Sequence, residues 1–235
     1  MTLGSAACGS EARYDVVVAA ASDTRDAFVE VAALAKAQSD VDIGFVFGSS
    51  GLLREQVIAG APYDVYVAAN TAFVDDVIAA GKGDGTTRES FAVGRLALIT
   101  ASDIELPNSL QAIATFSRIV IANPAHAPYG VAARETLERL GVYDEVAGRL
   151  ILADNVADAV RLVRAGEAQA GLVALPLVID TSHLVVAQDL HQPIRQALVV
   201  TTKGVNNPAA QAFMSALMSP AGRVILQRYG FMVES

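Results

Sequence analysis

Phe45-Val46-Phe47-Gly48-Ser49-Ser50-Gly51-Leu52-Leu53-Arg54-Glu55-Gln56-Val57 changes its periodicity halfway along. The apolar run ahead of Gly48 reads as a buried strand, the spacing after Gly51 reads as a helix, and a small polar corner joins them. Such a corner leaves the N–H groups of the helix's first turn without intrahelical partners, aimed past the strand's end. Small residues admit a ligand close to the backbone, and a serine hydroxyl adds one more donor. The stretch therefore predicts an anion seat at the amino end of a helix.

Working outward, the same pattern recurs. Asp15-Val16-Val17-Val18-Ala19-Ala20-Ala21 is a continuous apolar run suited to a parallel strand covered on both faces. Helical spacing over 24–37 follows it, with Ser22 the predicted N-cap. Beyond the opening stretch, Gly60-Ala61-Pro62 stops the second helix, residues 63–68 read as a strand and 71–80 as a helix. Gly81-Lys82-Gly83-Asp84-Gly85 follows a helix rather than a strand, so it reads as a turn and not as a nucleotide loop. Strands are expected over 96–100, 118–122, 149–153, 170–179, 184–187 and 196–201. Helices are expected over 131–140, 157–165, 209–217 and 221–229. Strands alternating with helices indicate an α/β fold built on parallel sheets. The order of elements occurs twice, which predicts two lobes joined by two crossing strands. The expected division is a tail over 1–12, one lobe from 13–94 and 199–235, and a second lobe from 95–198. Closure would hinge where the chain crosses, near Leu96 and Ala197.

Composition narrows the function. The chain has 235 residues and a net charge of −8. That balance argues against nucleic acid, which calls for clustered Lys and Arg. An acidic protein that holds an anion must use local dipoles instead. The one cysteine, Cys8, excludes an internal disulfide framework and a cysteine-built metal site. Leu3-Gly4-Ser5-Ala6-Ala7-Cys8 resembles the tail of a bacterial lipoprotein signal, which would anchor the protein through Cys8; a plain tail is the other reading. No apolar run reaches the roughly 18 residues needed to span a bilayer.

Four corners stand out: Ala21-Ser22-Asp23-Thr24, Gly48-Ser49-Ser50-Gly51, Ala127-Pro128-Tyr129-Gly130 and Asp154-Asn155-Val156-Ala157. Each joins a strand's carboxyl end to a helix's amino end, where open α/β sheets bind ligands. Singly, each also suits an ordinary cap or turn; two in each half suit a cleft between lobes. At this point the chain resembles the periplasmic molybdate-binding proteins of ABC importers, from about Tyr14 to Met232. The resemblance is carried by Ala19-Ala20-Ala21-Ser22, by the serine corner through Ala59-Gly60-Ala61-Pro62-Tyr63-Asp64, by Asn123-Pro124-Ala125-His126-Ala127-Pro128-Tyr129-Gly130-Val131-Ala132-Ala133, and by Gln227-Arg228-Tyr229-Gly230-Phe231.

That resemblance implies the two-lobed type II periplasmic-binding-protein fold, with the ligand in a cleft between lobes. It implies that Ser22 and Ser50 supply hydroxyl and backbone donors, and that Tyr129 and Val156 supply backbone N–H groups. The cargo would be molybdate, with tungstate alongside it, and no cofactor. The partners would be the oxyanion and the membrane permease of an ABC transporter, and the protein would be a periplasmic or extracytoplasmic monomer. Any metal would arrive as the oxyanion, through the same residues. Two positions depart from the pattern. Some members of the family place a tyrosine hydroxyl on the ligand where this chain has Ala174, and Tyr129 is the candidate to replace it. Asp23 stands where an apolar residue is usual; facing the cleft it would repel a dianion or accept a proton from hydrogen phosphate. The simpler expectation points Asp23 to solvent or to the dipole of the helix behind it. Arg25 and Arg134 read as solvated charges on helix faces.

Other classes fit less well. The same machine with sulfate or phosphate as cargo is the alternative nearest to hand. A hydrolase's Gly-x-Ser-x-Gly elbow is absent, since Leu52 follows Gly51. His126, His183 and His191 are too scattered for a metal motif, and His126, in the matched corner, suits a role supporting the ligand-binding residues from behind or a capping role. A ligand-sensing module of a transcription regulator would need a helix-turn-helix segment, which is not expected before Tyr14 or after Phe231.

Overall fold

The computed structural model describes residues 14–233, and Cys8 with its lipoprotein-like neighbours lies outside them. The chain runs β1 (Val16–Ala21), a 3-10 turn (Ser22–Thr24), α1 (Arg25–Ser39), β2 (Ile43–Gly48), α2 (Ser50–Ile58), β3 (Val65–Ala68), α3 (Thr71–Ala79) and β4 (Glu89–Gly94). It continues through β5 (Leu96–Thr100), β6 (Ile119–Ala122), α4 (Pro128–Arg139), α5 (Tyr143–Val146), β7 (Leu150–Ala153), α6 (Val156–Arg164), β8 (Ala170–Ala174) and β9 (Leu184–Val185). It closes with β10 (Ile194–Val200), α7 (Pro208–Met218) and α8 (Pro220–Arg228).

Two five-stranded sheets result, ordered β2-β1-β3-β10-β4 and β7-β6-β8-β5-β9. In each, three parallel strands carry the βα units, and the fourth strand runs antiparallel to the third. The apolar runs are where the covered-strand argument puts them: β3, β6 and β8 are buried along their length, as is all of β1 but Val17. Phe28, Phe45, Phe91 and Phe213 pack ring against ring behind the first sheet. The second sheet closes on Leu98, Ile119, Ile121, Leu137 and Leu172.

Several boundaries differ from the sequence expectation, each for a physical reason. The strand expected over 170–179 stops at Ala174, because Pro176 sits in a 3-10 turn (Leu175–Leu177) and has no N–H for a ladder. The corner expected through Gly130 is shorter, since Pro128 opens α4 at its first position, where a missing N–H is harmless. Ser22 does not cap α1: it lies inside the 3-10 turn, and Thr24, at the N-cap position, turns its hydroxyl back to Ala21 O at 2.7 Å. β4 has only the short apolar run Phe91-Ala92-Val93 after the exposed Glu89 and Ser90, and it is a strand because β10 offers it an antiparallel edge.

The chain crosses between sheets at Arg95, which separates β4 from β5, close to the expected Leu96. The return is displaced from Ala197. β10 belongs to the first sheet from Ile194 onward, so the crossing falls between Val185 and Ile194, and a division at 198/199 would cut a strand.

Candidate functional site

The carboxyl ends of β1 and β2 meet those of β6 and β7, and the corners beyond them enclose one small cavity. Ser22, Asp23, Ser49 and Ser50 line it from the first half; Ala127, Pro128, Tyr129 and Val156 line it from the second. All four residues expected at the site are thus brought together. Their burial is nearly complete, with exposures of 4% for Ser22, 2% for Ser50, 2% for Tyr129 and 4% for Val156. The cavity is about 10 Å³, and among the described residues no lysine or arginine lines it. A larger hollow of about 580 Å³ beside Thr100, Glu105 and Arg164 is formed by the second half alone and has no such convergence of helix ends.

Each donor at the cavity has a local cause. Ser50 Oγ accepts the Ala69 N–H at 3.0 Å, so its own proton remains to be given. Ser22 Oγ accepts the Ala157 N–H at 3.3 Å, across from one half to the other. Pro128 has no N–H, while the Gly130 and Val131 N–H groups both go to Ala127 O. That leaves the Tyr129 N–H as the donor of the first turn of α4 beside the cavity. At α6, Asn155 Oδ1 takes the Ala157 and Asp158 N–H groups at 3.0 Å each, and the Val156 N–H stands ahead of them. Four neutral donors and the amino ends of α2, α4 and α6 therefore surround one space, an arrangement that accepts anions.

The two halves also touch beside the cavity, a contact the sequence did not suggest. Ser49 Oγ donates to His126 O at 2.7 Å, and the Gly51 N–H donates to the same oxygen at 2.9 Å. His126 Nδ1 lies 2.8 Å from Ser49 Oγ. Since that hydroxyl proton is committed to the carbonyl, Nδ1 is the donor in this pair. His126 thus holds the corners together. Among the described residues no cluster of His, Cys, Asp or Glu is arranged to hold a metal ion. Arg25 and Arg134 pair on the surface with Asp26 and Glu138.

Asp23 corrects the sequence reading. It does not face solvent: it is 1% exposed and accepts from Gln196 Nε2 at 2.6 Å. A register shift between Gln196 and Ala197 marks β10 at this point. Burial raises the Asp23 carboxyl to about 7, against weaker lowering by Tyr129, its own backbone N–H and Gln196. Tyr129 does not reach toward Ala174's place with a made hydrogen bond. Its hydroxyl sits against the crossing, where a Cβ on Gly94 would lie 2.2 Å from Oη. Burial first, and then the Asp23 charge, holds the Tyr129 phenol well above its usual range. Tyr129 Oη, Asp23 Oδ1 and Gln196 Oε1 are all buried and none makes a well-formed hydrogen bond, although Tyr129 Oη lies beside both Asp23 and Gln196.

Residues 16–232 match the family of bacterial extracellular solute-binding proteins. The molybdate-binding protein ModA of Rhodobacter capsulatus is 30% identical over 224 residues, 94% of this chain and 89% of that one. ModA of Azotobacter vinelandii is 31% identical, covering 97% of this chain and 93% of its own. A solved structure of the Azotobacter vinelandii periplasmic molybdate-binding protein superposes with a TM-score of 0.87 at 26% identity, over 94% of this chain and 100% of that one.

Proposed function

Because this chain belongs to the bacterial extracellular solute-binding proteins, we propose that it captures molybdate between its two halves and delivers it to an ABC importer. It is a periplasmic binding protein and not an enzyme. The observation that carries the reading is the convergence of Ser22, Ser50, Tyr129 and Val156 on one cavity without a cationic side chain. In this reading the serines donate hydroxyl protons to the oxyanion, and Tyr129 and Val156 donate backbone N–H groups. The two sheets correspond to two lobes that part to admit the ligand and close over it. The protein acts as a monomer toward a membrane permease, with a lipid anchor at Cys8 as a further element of the proposal.

Magnitudes are adequate. Hydrogen bonds to a charged group contribute roughly 1.5–3 kcal/mol each, and a helix end about 0.3–1, rising to ~2 where partly buried. Four bonds and three helix ends total roughly 7–18 kcal/mol before the costs of ordering and closure, a range that contains the roughly 8 kcal/mol of micromolar binding. Molybdate offers acceptor oxygens only, which matches a ring of donors. A ligand carrying its own proton needs an acceptor as well, and leaving that proton unpaired in a buried site costs about 1–3 kcal/mol. Tungstate, of the same form and nearly the same size, is expected to bind beside molybdate.

Calorimetric titration of dialysed protein with molybdate, tungstate, sulfate and phosphate tests the assignment. Molybdate and tungstate should bind at least about tenfold more tightly than the other two, a gap of ~1.4 kcal/mol. Phosphate is the rival that Asp23 would favour as an ionised acceptor, and heat from phosphate alone would overturn the molybdate reading.

A further inference from the structure

The Asp23 cluster lies at the junction of the halves. Asp23 and Gln196 belong to the first, on the 3-10 turn after β1 and on β10; Tyr129 belongs to the second, on α4. The turn carrying Asp23 is packed against the 3-10 turn after β8 and against α6, both of the second half. Separating the halves would uncover Asp23; closing them buries it.

The polar atoms of this cluster do not balance when Asp23 is ionised. Gln196 Nε2 serves Asp23 Oδ2. Asp23 Oδ1 and Gln196 Oε1 are then two buried acceptors with no made bond; the Tyr129 hydroxyl, beside both, brings one proton, and the Asp23 backbone N–H is the other donor near the carboxylate. A proton on Asp23 Oδ1 supplies the missing donor and removes a negative charge from the wall of a cavity that holds a dianion. We propose that Asp23, with Gln196 and Tyr129, forms a proton-carrying brace between the halves, so that closing over molybdate takes up a proton from solvent at Asp23. Asp23 is in this sense a positioning residue: it acts through closure. The inference rests on the molybdate reading for its ligand, and on the geometry of the cluster for its chemistry.

The sign follows from linkage. An exposed carboxylate has a pKa of about 3.9, and the buried Asp23 stands at about 7. A group raised on closing contributes fully below its open-state value, and its contribution is lost as pH rises through the closed-state value. Molybdate itself carries no proton near neutrality, so any uptake belongs to the protein. Few other groups confuse the assignment. Tyr129 faces Asp23 from α4 and Gln196 from β10; the turn Leu175–Leu177 is apolar, and on α6 Asp158 pairs outward with Arg161. On α1, Arg25 and Asp26 pair with each other at the surface. Among the described residues, Arg95 at the crossing, whose backbone adjoins Tyr129, and Glu135 and Arg195, which line a hollow between the halves, are the other charged side chains at the junction, and none of them is bonded to Asp23; His126 is bonded to Ser49.

The test is molybdate calorimetry on the full chain from pH 6 to pH 8, in buffers of different ionisation enthalpy. Affinity should be about tenfold weaker at pH 8 than at pH 6, with uptake close to one proton per molybdate at pH 6 and close to none at pH 8. Asp23→Asn, which keeps the shape and a neutral group, should bind without that pH dependence and without proton uptake. His126→Gln should keep the wild-type slope. A flat wild-type profile, an absence of uptake, or an Asp23→Asn protein that retains the slope overturns the brace. If Asp23→Asn does not fold, the wild-type uptake alone decides. Should molybdate give no heat at any pH, the functional reading fails instead. The uptake measurement then moves to sulfate, also without a proton in this range, and heat from neither ligand overturns both.

Discussion

Gly51→Ala isolates the contact between the halves from the contacts to the ligand. A Cβ at Gly51 would lie 2.7 Å from His126 O and 3.0 Å from both its Cα and Cβ. Backbone atoms of the opposite corner cannot turn aside as the end of a long side chain does, so the two corners must separate. Separation stretches the bonds from Gly51 N and Ser49 Oγ to His126 O, at 2.9 and 2.7 Å. Two neutral hydrogen bonds at a net ~0.5–1.5 kcal/mol each amount to about 1–3 kcal/mol of closure. That corresponds to roughly 5- to 150-fold in the dissociation constant for molybdate. The open protein is spared, because an alanine near the start of α2 is favoured over glycine in a helix by about 1 kcal/mol. Calorimetry should therefore show weakened binding, while the melting temperature without ligand holds or rises. Wild-type affinity in this variant would refute the claim that His126 and Gly51 meet on closure. A lowered melting temperature without ligand would place the clash within the unliganded fold instead.

Ser50→Ala should weaken molybdate binding by about tenfold or more, since it removes a donor to a charged ligand and the partner of the buried Ala69 N–H; calorimetry at one pH suffices, and unchanged affinity would move the ligand away from this corner. Gly94→Ala should displace Tyr129, whose Oη is 2.2 Å from the added Cβ, and lower molybdate affinity by about tenfold as the first turn of α4 shifts; a variant with wild-type affinity would mean that the tyrosine ring is not part of closure. Asp64→Ala should cost about 1–3 kcal/mol of stability, chiefly by leaving the Val17 N–H without its acceptor, since Lys203 Nζ is half exposed and returns to water, and denaturant unfolding measures it. Asp23→Ala, harmless on the solvent-facing expectation, should instead weaken binding, because it strands Gln196 Nε2 in the junction.

What was legible in the sequence is what is encoded locally. β1, β5, β6 and β7 are short apolar runs, and each corner announces itself by small residues between two periodicities. An anion seat made of first-turn N–H groups needs nothing beyond a strand's end and a helix's start, so the four corners were readable one at a time, while the choice of Ser22, Ser50, Tyr129 and Val156 within them came from the family resemblance. β4 was not, because Glu89 and Ser90 are exposed and the strand exists through its pairing with β10, about a hundred residues on. Asp23 was misread for the same reason. A charged residue at the start of a helix has a sufficient local explanation, and only distant packing, by Tyr129, the turn after β8, α6 and Gln196 at a sequence separation of 173, makes it a buried acid. The Ser49–His126 contact likewise spans a separation of 77 and leaves no periodicity to read.

The seat and the brace belong to one electrostatic problem. A protein of net charge −8 that closes on a dianion gains nothing from its overall field, and among the described residues no cationic side chain lines its cavity to oppose the ligand's charge. Every negative charge near that cavity therefore weighs directly against capture. Asp23 is such a charge when ionised, and its burial among Gln196, Tyr129 and apolar turns is what drives it toward the neutral acid. The same burial exists only while the halves are together. A site that relies on neutral donors can tolerate a carboxylic acid in its wall provided closure and protonation occur as one event, and when the halves are drawn apart the acid can ionise again, adding a repulsive charge beside the departing ligand.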